Sequence, residues 1–286
     1  MGENELLKMA WKKKGKILRY LVGIMVAVFW LIPFIGVLMA SLRPLSEIIH
    51  GWWHFKDMTI SLTNYIKAWS WPGAPVGDAL LNSLIVTVPA TLAVALLGLL
   101  TAYPIVRFRF IGRKFYFFCL ILTMASPPEL IIISNYRTLQ SAGLLDTFLG
   151  LIFVHVAWGM GWTTLFLRNF LFSVPLELEE SARVDGANRW QVFYRIILPI
   201  TAPALASVGV VQFVWTWNSL LFPLVFLRSP GKFMVTQVIP IIKGRIMVNW
   251  GAVSAASIIA MAIPVILFFV LQRYYKEGLT GGYSVG

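Results

Sequence analysis

Six stretches of this chain stay apolar for long enough to cross a lipid hydrocarbon core, and this limits the folds open to it more than any other feature. A crossing takes about 20 apolar residues, each rising about 1.5 Å. The stretches lie near 17–40, 80–106, 115–134, 148–167, 200–227 and 253–271. Within a bilayer, backbone donors and acceptors must be satisfied inside the segment, which a helix does and an isolated extended chain does not. The expected fold is therefore an all-α membrane protein with six transmembrane helices. Composition agrees: 58% hydrophobic residues, 13% charged residues and a mean hydropathy of +0.77 exceed ordinary globular usage. The first stretch follows KKKGK, is too long for a signal-peptide core and has no small-residue cleavage site, so it is expected to remain as an anchor.

The net charge of +12 raises nucleic acid as a partner, but the basic residues fall in short blocks beside the apolar runs. That distribution fits orientation by the positive-inside effect, and no nucleic-acid partner is expected. With the N-terminus in the cytoplasm, the inner segments hold 16 of the 24 lysines and arginines and the outer loops hold eight. Both termini are thus expected to be cytoplasmic, in an inner membrane crossed several times. The single cysteine, Cys119, excludes an intrachain disulfide framework and a cysteine metal cluster, and no metal site is expected. Four parts follow: a basic lead at 1–16, a first helix and outer loop at 17–79, a core transmembrane domain at 80–272, and a C-terminal tail at 273–286. The outer loop bunches Trp52, Trp53, Trp69 and Trp71, which fits either the membrane interface or contact with an external delivery protein.

Between the fourth and fifth apolar runs lies a charged, breakable segment, 173–199. Pro175 is well placed to open a short helix, and Asp185-Gly186 ends it where glycine can take a left-handed conformation. Asn188, three residues before Gln191, then forms a capping-box pattern for a second helix at a new angle. Trp190, Phe193 and Ile197 recur at helical spacing as an apolar knob, with Arg189 and Arg195 on the other side. The expected product is a bent cytoplasmic handle suited to a partner's groove.

These residues resemble those of a known family, the membrane subunits of binding-protein-dependent ABC importers. The family's loop reads EAA, then G after three residues, then a run ending in L-P. Here Glu180-Ser181-Ala182 stands for EAA, with Ser for the first Ala, followed by Asp185-Gly186-Ala187, Phe193, Ile196, Leu198-Pro199 and Pro203, about ten positions over 24 residues. NSLIVT, AYPIVRFRF and WTWNSLLFPL resemble further parts of the family core, the last of them its sugar-importing branch. Gly278-Leu279-Thr280 resembles the tail of the maltose-importer type. The resemblance implies a permease subunit forming half of a translocation pathway for a sugar or oligosaccharide. Its implied partners are a second homologous permease subunit, two ATP-binding cassette subunits and an extracytoplasmic solute-binding protein. Glu180, Ser181, Ala182, Asp185, Gly186, Ala187 and Phe193 would couple to the ATPases, and Gly278, Leu279 and Thr280 would reach them from the tail. ATP and Mg would sit on those partners and no cofactor on this chain.

The residues themselves agree on that point, since no GxxxxGK[ST] loop cradles a nucleotide and no HExxH or GxSxG is present. The chain is not expected to be an enzyme. Several polar residues fall inside the apolar runs and are candidates for the substrate path. Glu129 follows Pro127-Pro128, where lost donors disturb a helix and point to a cavity. His155 lies on the fourth run with Trp158 and Trp162. Gln212, Trp215 and Ser219 share a face, with Asn218 beside them, and combine amides with aromatic surface as sugar sites do; such residues also join membrane helices. A carrier driven by an ion gradient is the competing reading. It calls for buried carboxylates and paired broken helices in two similar halves, and only Glu129 lies at depth.

Overall fold

A computed structural model describes residues 3–54, 58–244 and 248–279, with side chains between residues 16 and 272 of those ranges. All regular structure among them is helical. In order come α1 (Glu3–Ser41), α2 (Leu45–Ile48), α3 (Thr63–Trp69), α4 (Val76–Arg107), α5 (Arg113–Ala125), α6 (Pro128–Ser141) and α7 (Phe148–Ser173). They are followed by α8 (Glu177–Val184), α9 (Arg189–Val192), a π-helical turn at Phe193–Ile197, α10 (Leu198–Ile200), α11 (Ala202–Trp217), α12 (Leu221–Phe226), α13 (Val235–Lys243) and α14 (Trp250–Leu279). Four stretches are long and apolar enough to cross a membrane: Lys16–Ser41, Val76–Arg107, Phe148–Ser173 and Trp250–Gln272. Two bent pairs raise the number to six if each is one span: α5 with α6 at 106°, and Arg189–Ile200 with α11 at 66°.

Proline explains where the expected rods break and where they do not. The residue before a proline is driven out of the α region. With Pro127 and Pro128 adjacent, both Ser126 (ψ 121°) and Pro127 (ψ 138°) are extended, so the third expected span, 115–134, is two helices. Pro89, by contrast, does not break α4. A lone proline removes only one donor; its ring lies on the exposed face of α4, while Val86 and Ala90, both fully buried, keep that turn packed. The fifth expected span, 200–227, ends as a regular helix at Trp217, and the chain resumes only as the short α12.

The chain divides into two units, Met1–Trp69 with Ile242–Ile258 and Ser70–Ile241 with Ile259–Gly286. In the first, the loop after α1 is tied down by Arg43, almost fully buried. Its guanidinium donates to Glu47 Oε2 (2.9 Å), to the Trp52 carbonyl (3.2 Å) and to the His54 carbonyl (2.6 Å). Asn64 donates to the Ser41 and Arg43 carbonyls at 3.1 and 2.8 Å. The Thr59 hydroxyl and Arg43 hold the Glu47 carboxyl below its usual range. Along α1, Leu21, Ile24, Met25 and Phe29 are all more than half exposed, a surface at home in lipid rather than water.

In the second unit, α4 packs along α7 through small residues, as membrane helices do where close approach replaces a hydrophobic drive. A Cβ on Gly98 would stand 2.4 Å from Thr163 Cγ2, so no larger residue fits that crossing. One buried cluster joins Leu99, Tyr103, Leu167, Leu171, Val192 and Ile197; another joins Val86, Leu151, Val154, Phe222, Phe226 and Met234.

Asp146, in the left-handed region at φ 57°, ties the turn before α7 to the segment after α12. Its carboxylate accepts from the Arg228 and Ser229 amides (2.9 and 3.2 Å) and from the Ser229 hydroxyl (2.5 Å), with Lys232 Nζ at 3.4 Å. Burial pushes this carboxyl up, but the Ser229 hydroxyl, the two amides and the Lys232 charge outweigh it and hold it well below the carboxylate range. A depressed value stabilises the fold above the unfolded Asp value, about 3.9, and the benefit is lost as pH falls further toward the folded value. Hydrogen exchange at Arg228 and Ser229, corrected for intrinsic rate, is expected to stay slow down to about pH 4 and then accelerate. Asp146→Asn is expected to speed it about tenfold at neutral pH, because bonds to a charged acceptor become bonds to a neutral one.

Candidate coupling handle and translocation cavity

The segment between α7 and α11 forms two short helices, as its turn chemistry predicts. α8 begins at Glu177, two residues later than Pro175 implies, and closes in a Schellman arrangement. Gly186 N–H donates to the Arg183 carbonyl (3.0 Å) and Ala187 N–H to the Ala182 carbonyl (2.9 Å), with Gly186 at φ +86°. Asn188 Oδ1 then accepts from Gln191 N–H (2.9 Å), while Gln191 Oε1 accepts from Asn188 N–H (2.7 Å), completing the capping box. The turn is closed by backbone alone. The Asp185 side chain is exposed and makes no bond to that backbone among the described residues.

The seven expected coupling residues divide by environment. Glu180, Ser181, Asp185 and Gly186 are exposed, whereas Ala182, Ala187 and Phe193 pack inward against the cluster around Tyr103. The expected apolar knob divides as well: Ile197 is fully buried and Phe193 lies against Tyr103 with centroids 5.4 Å apart, leaving Trp190, 69% exposed, and Val184, 87% exposed, at the tip. The reason is the π-helical turn at Phe193–Ile197, which changes the register between Trp190 and Ile197 so that they no longer share a face. Of the tail residues, Gly278 and Leu279 end α14 and Thr280 lies outside the described residues.

Sequence reasoning missed the group that fixes the handle. Glu179 is fully buried; its carboxylate accepts from the Tyr103 hydroxyl (2.8 Å), from Arg107 Nε (2.5 Å) and, at 3.4 Å, from Arg183. Arg107 also donates to the Val174 carbonyl at 2.8 Å. The inner end of α4 thereby holds both the entry to the handle and its first helix. Arg189 stacks its guanidinium 5.1 Å from the Phe108 ring centre and closes the other side. A signal was available: Tyr103 and Arg107 are polar groups at the end of an otherwise uncharged span, and such groups need partners.

A cavity of about 270 Å³ gathers five of the six substrate-path candidates: Glu129, His155, Gln212, Trp215 and Ser219. Asn218 is the exception, exposed as the C-cap of α11. Glu129 reaches the cavity because the break at Pro127-Pro128 makes it the first-turn acid of a new helix. Gln212 lies at the cavity and also joins side chains around it: its carbonyl accepts from Trp162 Nε1 and its amide donates to Thr216 Oγ1, each at 3.1 Å. Trp162 and Trp215 meet edge to face at 5.1 Å, and His155 meets Phe222 likewise at 5.4 Å. His155 Nε2 is buried with no hydrogen-bond partner among the described residues, so it can bond a guest or a water in the cavity. The site has aromatic walls, few polar groups and one carboxylate.

Fold and site define a class: an all-α, multi-pass membrane protein whose paired short helices are anchored to a core that holds an aromatic-walled cavity. The family is equally plain. Residues 94–280 match the model of the binding-protein-dependent transport system inner membrane components, and the chain belongs to that family. A probable ABC transporter permease protein of Pyrococcus horikoshii is 43% identical over 93% of this chain and 98% of its own length. The melibiose/raffinose/stachyose import permease protein of Bacillus subtilis is 32% identical over 96% of this chain and 99% of its own. In fold, the chain is similar to a subunit of a bacterial ABC transporter that imports the acidic polysaccharide alginate. That match has a TM-score of 0.76 at 23% identity and covers 92% of this chain and 97% of that one.

Proposed function

We propose that this chain forms half of the translocation pathway of an ATP-driven importer for a sugar or oligosaccharide delivered by an extracytoplasmic binding protein. The other half is a second, related permease subunit, and two ATP-binding cassette subunits grip the handles from the cytoplasm, where both termini lie. ATP and Mg act on those subunits. The observation that carries this reading is the helical path from handle to cavity. Helices α9 and α10 run through the π turn into α11 across a 66° bend, and α11 itself supplies Gln212, Trp215 and Thr216 to the cavity wall. A partner that moves Trp190 therefore moves the cavity wall through backbone, with the Glu179 clamp making α4 follow. Glu180, Ser181, Asp185 and Gly186 present the surface the ATPase reads, and the tail at Gly278, Leu279 and Thr280 reaches the same subunits.

A sugar suits the cavity because aromatic faces cover the apolar side of a pyranose while Gln212, Ser219, Glu129 and His155 meet its hydroxyls. The sugars named for the Bacillus subtilis relative, melibiose, raffinose and stachyose, support that class of solute. In proteoliposomes holding the whole complex, labelled raffinose with its binding protein is expected to accumulate when ATP is inside and no ion gradient exists. Accumulation driven by a gradient alone would reverse the reading. Trp215→Ala is expected to reduce uptake about tenfold, equivalent to about 1.4 kcal/mol, while leaving ATPase subunits bound.

A further inference from the structure

A second, larger cavity, about 720 Å³, opens where α4 ends and α5 begins, against the last turns of α7. It lies at the same end of the unit as the handle, since Arg107 at the end of α4 holds Glu179. Arg109, Arg113, Lys114 and Arg168 line it, together with Phe110, Phe115 and Phe117, and no carboxylate does. The neighbouring cations are already used: Arg107 and Arg183 share Glu179. These four have no carboxylate partner among the described residues.

Arg168 is held in place as an anchoring group is. Its guanidinium carbon lies 4.3 Å from the Phe117 ring centre and 4.6 Å from that of Phe172, which orients the fork without neutralising it. Its Nε is covered and finds no hydrogen-bond partner among the described residues. Arg168 Nη1 and Arg113 Nη1 meet only neutral acceptors, Asn169 Oδ1 (3.3 Å) and the Phe108 carbonyl (3.4 Å). Like charges gathered around one space repel, so the arrangement calls for an anion with several acceptor oxygens. The aromatic lining narrows the choice. A free phosphate is met best by polar walls, whereas a phosphate carrying glycerol and fatty chains places its oxygens on the cations and its carbons on the rings.

We propose that this pocket binds the headgroup of an anionic phospholipid, with its phosphate on Arg168 and Arg113 and its acyl chains along Phe110, Phe115 and Phe117. Basic recesses at the membrane-facing ends of helices are the usual form of such sites. The inference needs only that the chain is embedded in a bilayer and is independent of the solute carried.

The test uses the complete complex, purified into nanodiscs of phosphatidylcholine mixed with phosphatidylglycerol and released into native mass spectrometry. Phosphatidylglycerol is expected to stay bound in preference to phosphatidylcholine. Arg109 and Lys114 are exposed, so the double variant Arg109→Gln/Lys114→Gln folds normally. It is expected to lower the bound ratio about 25-fold, at about fivefold for each cation lost. Arg195→Gln, which removes an exposed cation elsewhere, is expected to leave the ratio unchanged. Equal retention of both lipids by the unaltered complex, or an unchanged ratio in the double variant, overturns the proposal. So does release of the lipid by millimolar inorganic phosphate, which marks a small-anion site. Crosslinks from position 114 to an acidic segment of a partner subunit that fills the cavity overturn it as well.

Discussion

Glu179→Ala is expected to destabilise the complex by about 3–5 kcal/mol and to reduce ATP-driven uptake by at least about a hundredfold. The change removes the only carboxylate that meets Arg107 among the described residues, at a position where the glutamate side chain is wholly buried and the arginine nearly so. What remains is a charge retained in a dry site with one carbonyl partner, that of Val174. Breaking a buried pair from one side costs more than the pair contributes, because desolvation is no longer offset. A graded series separates charge from packing. Tyr103→Phe removes one hydrogen bond to a buried carboxylate and is expected to cost about 1.5–3 kcal/mol, with uptake falling severalfold. Glu179→Leu with Arg107→Met removes both charges and is expected to recover most of the thermal midpoint. Thermal unfolding of the purified complex and uptake in proteoliposomes measure the two quantities. If Glu179→Ala transports normally at normal abundance, the clamp is not part of the transmission.

The handle's internal form was legible in the sequence because turn chemistry is local. Gly186 and the Asn188–Gln191 pair specify the αL cap and the capping box whatever surrounds them. The first, second, fourth and sixth apolar runs, each a single long helix, were legible for a similar reason, since length and hydropathy need no partners. Two things were not. The role of Glu179 depends on Tyr103 and Arg107, more than seventy residues away in the chain; on a short charged helix an acid reads as solvent-facing until its partners are placed. The register between Trp190 and Ile197 depends on a π-helical turn, which periodicity at 3.6 residues does not show. The cavity fell between these cases. Helical spacing grouped Gln212, Trp215 and Ser219 correctly, but only the bend after Ser126 brings Glu129 to them.

Gly186 offers a sharper test of the handle than its exposed acids do. It is expected that Gly186→Pro inserts in the membrane at normal abundance but takes up no solute and loses most of its bound ATPase. Proline holds φ near −65°, whereas this residue sits at +86°, and it lacks the N–H that donates to the Arg183 carbonyl. The Schellman closure cannot form, so α8 and α9 must meet at another angle. Alanine isolates the conformational part. A Cβ at 186 meets no atom within 4 Å, so Gly186→Ala pays only for the left-handed backbone, about 1–2 kcal/mol. Its N–H still closes the cap, and it is expected to keep uptake at roughly a tenth to a half of normal. Copurification of the ATPase and uptake, read together, order the three proteins as glycine, alanine, proline. If alanine and proline lose function equally, the residue acts by contact with the partner's surface; if neither does, the angle between the two helices is not what the ATPase reads. The distinction matters because the angle sets where Trp190 points. A partner gripping that side chain acts on α11 and its cavity only while the turn at 186 keeps the two short helices in one rigid piece.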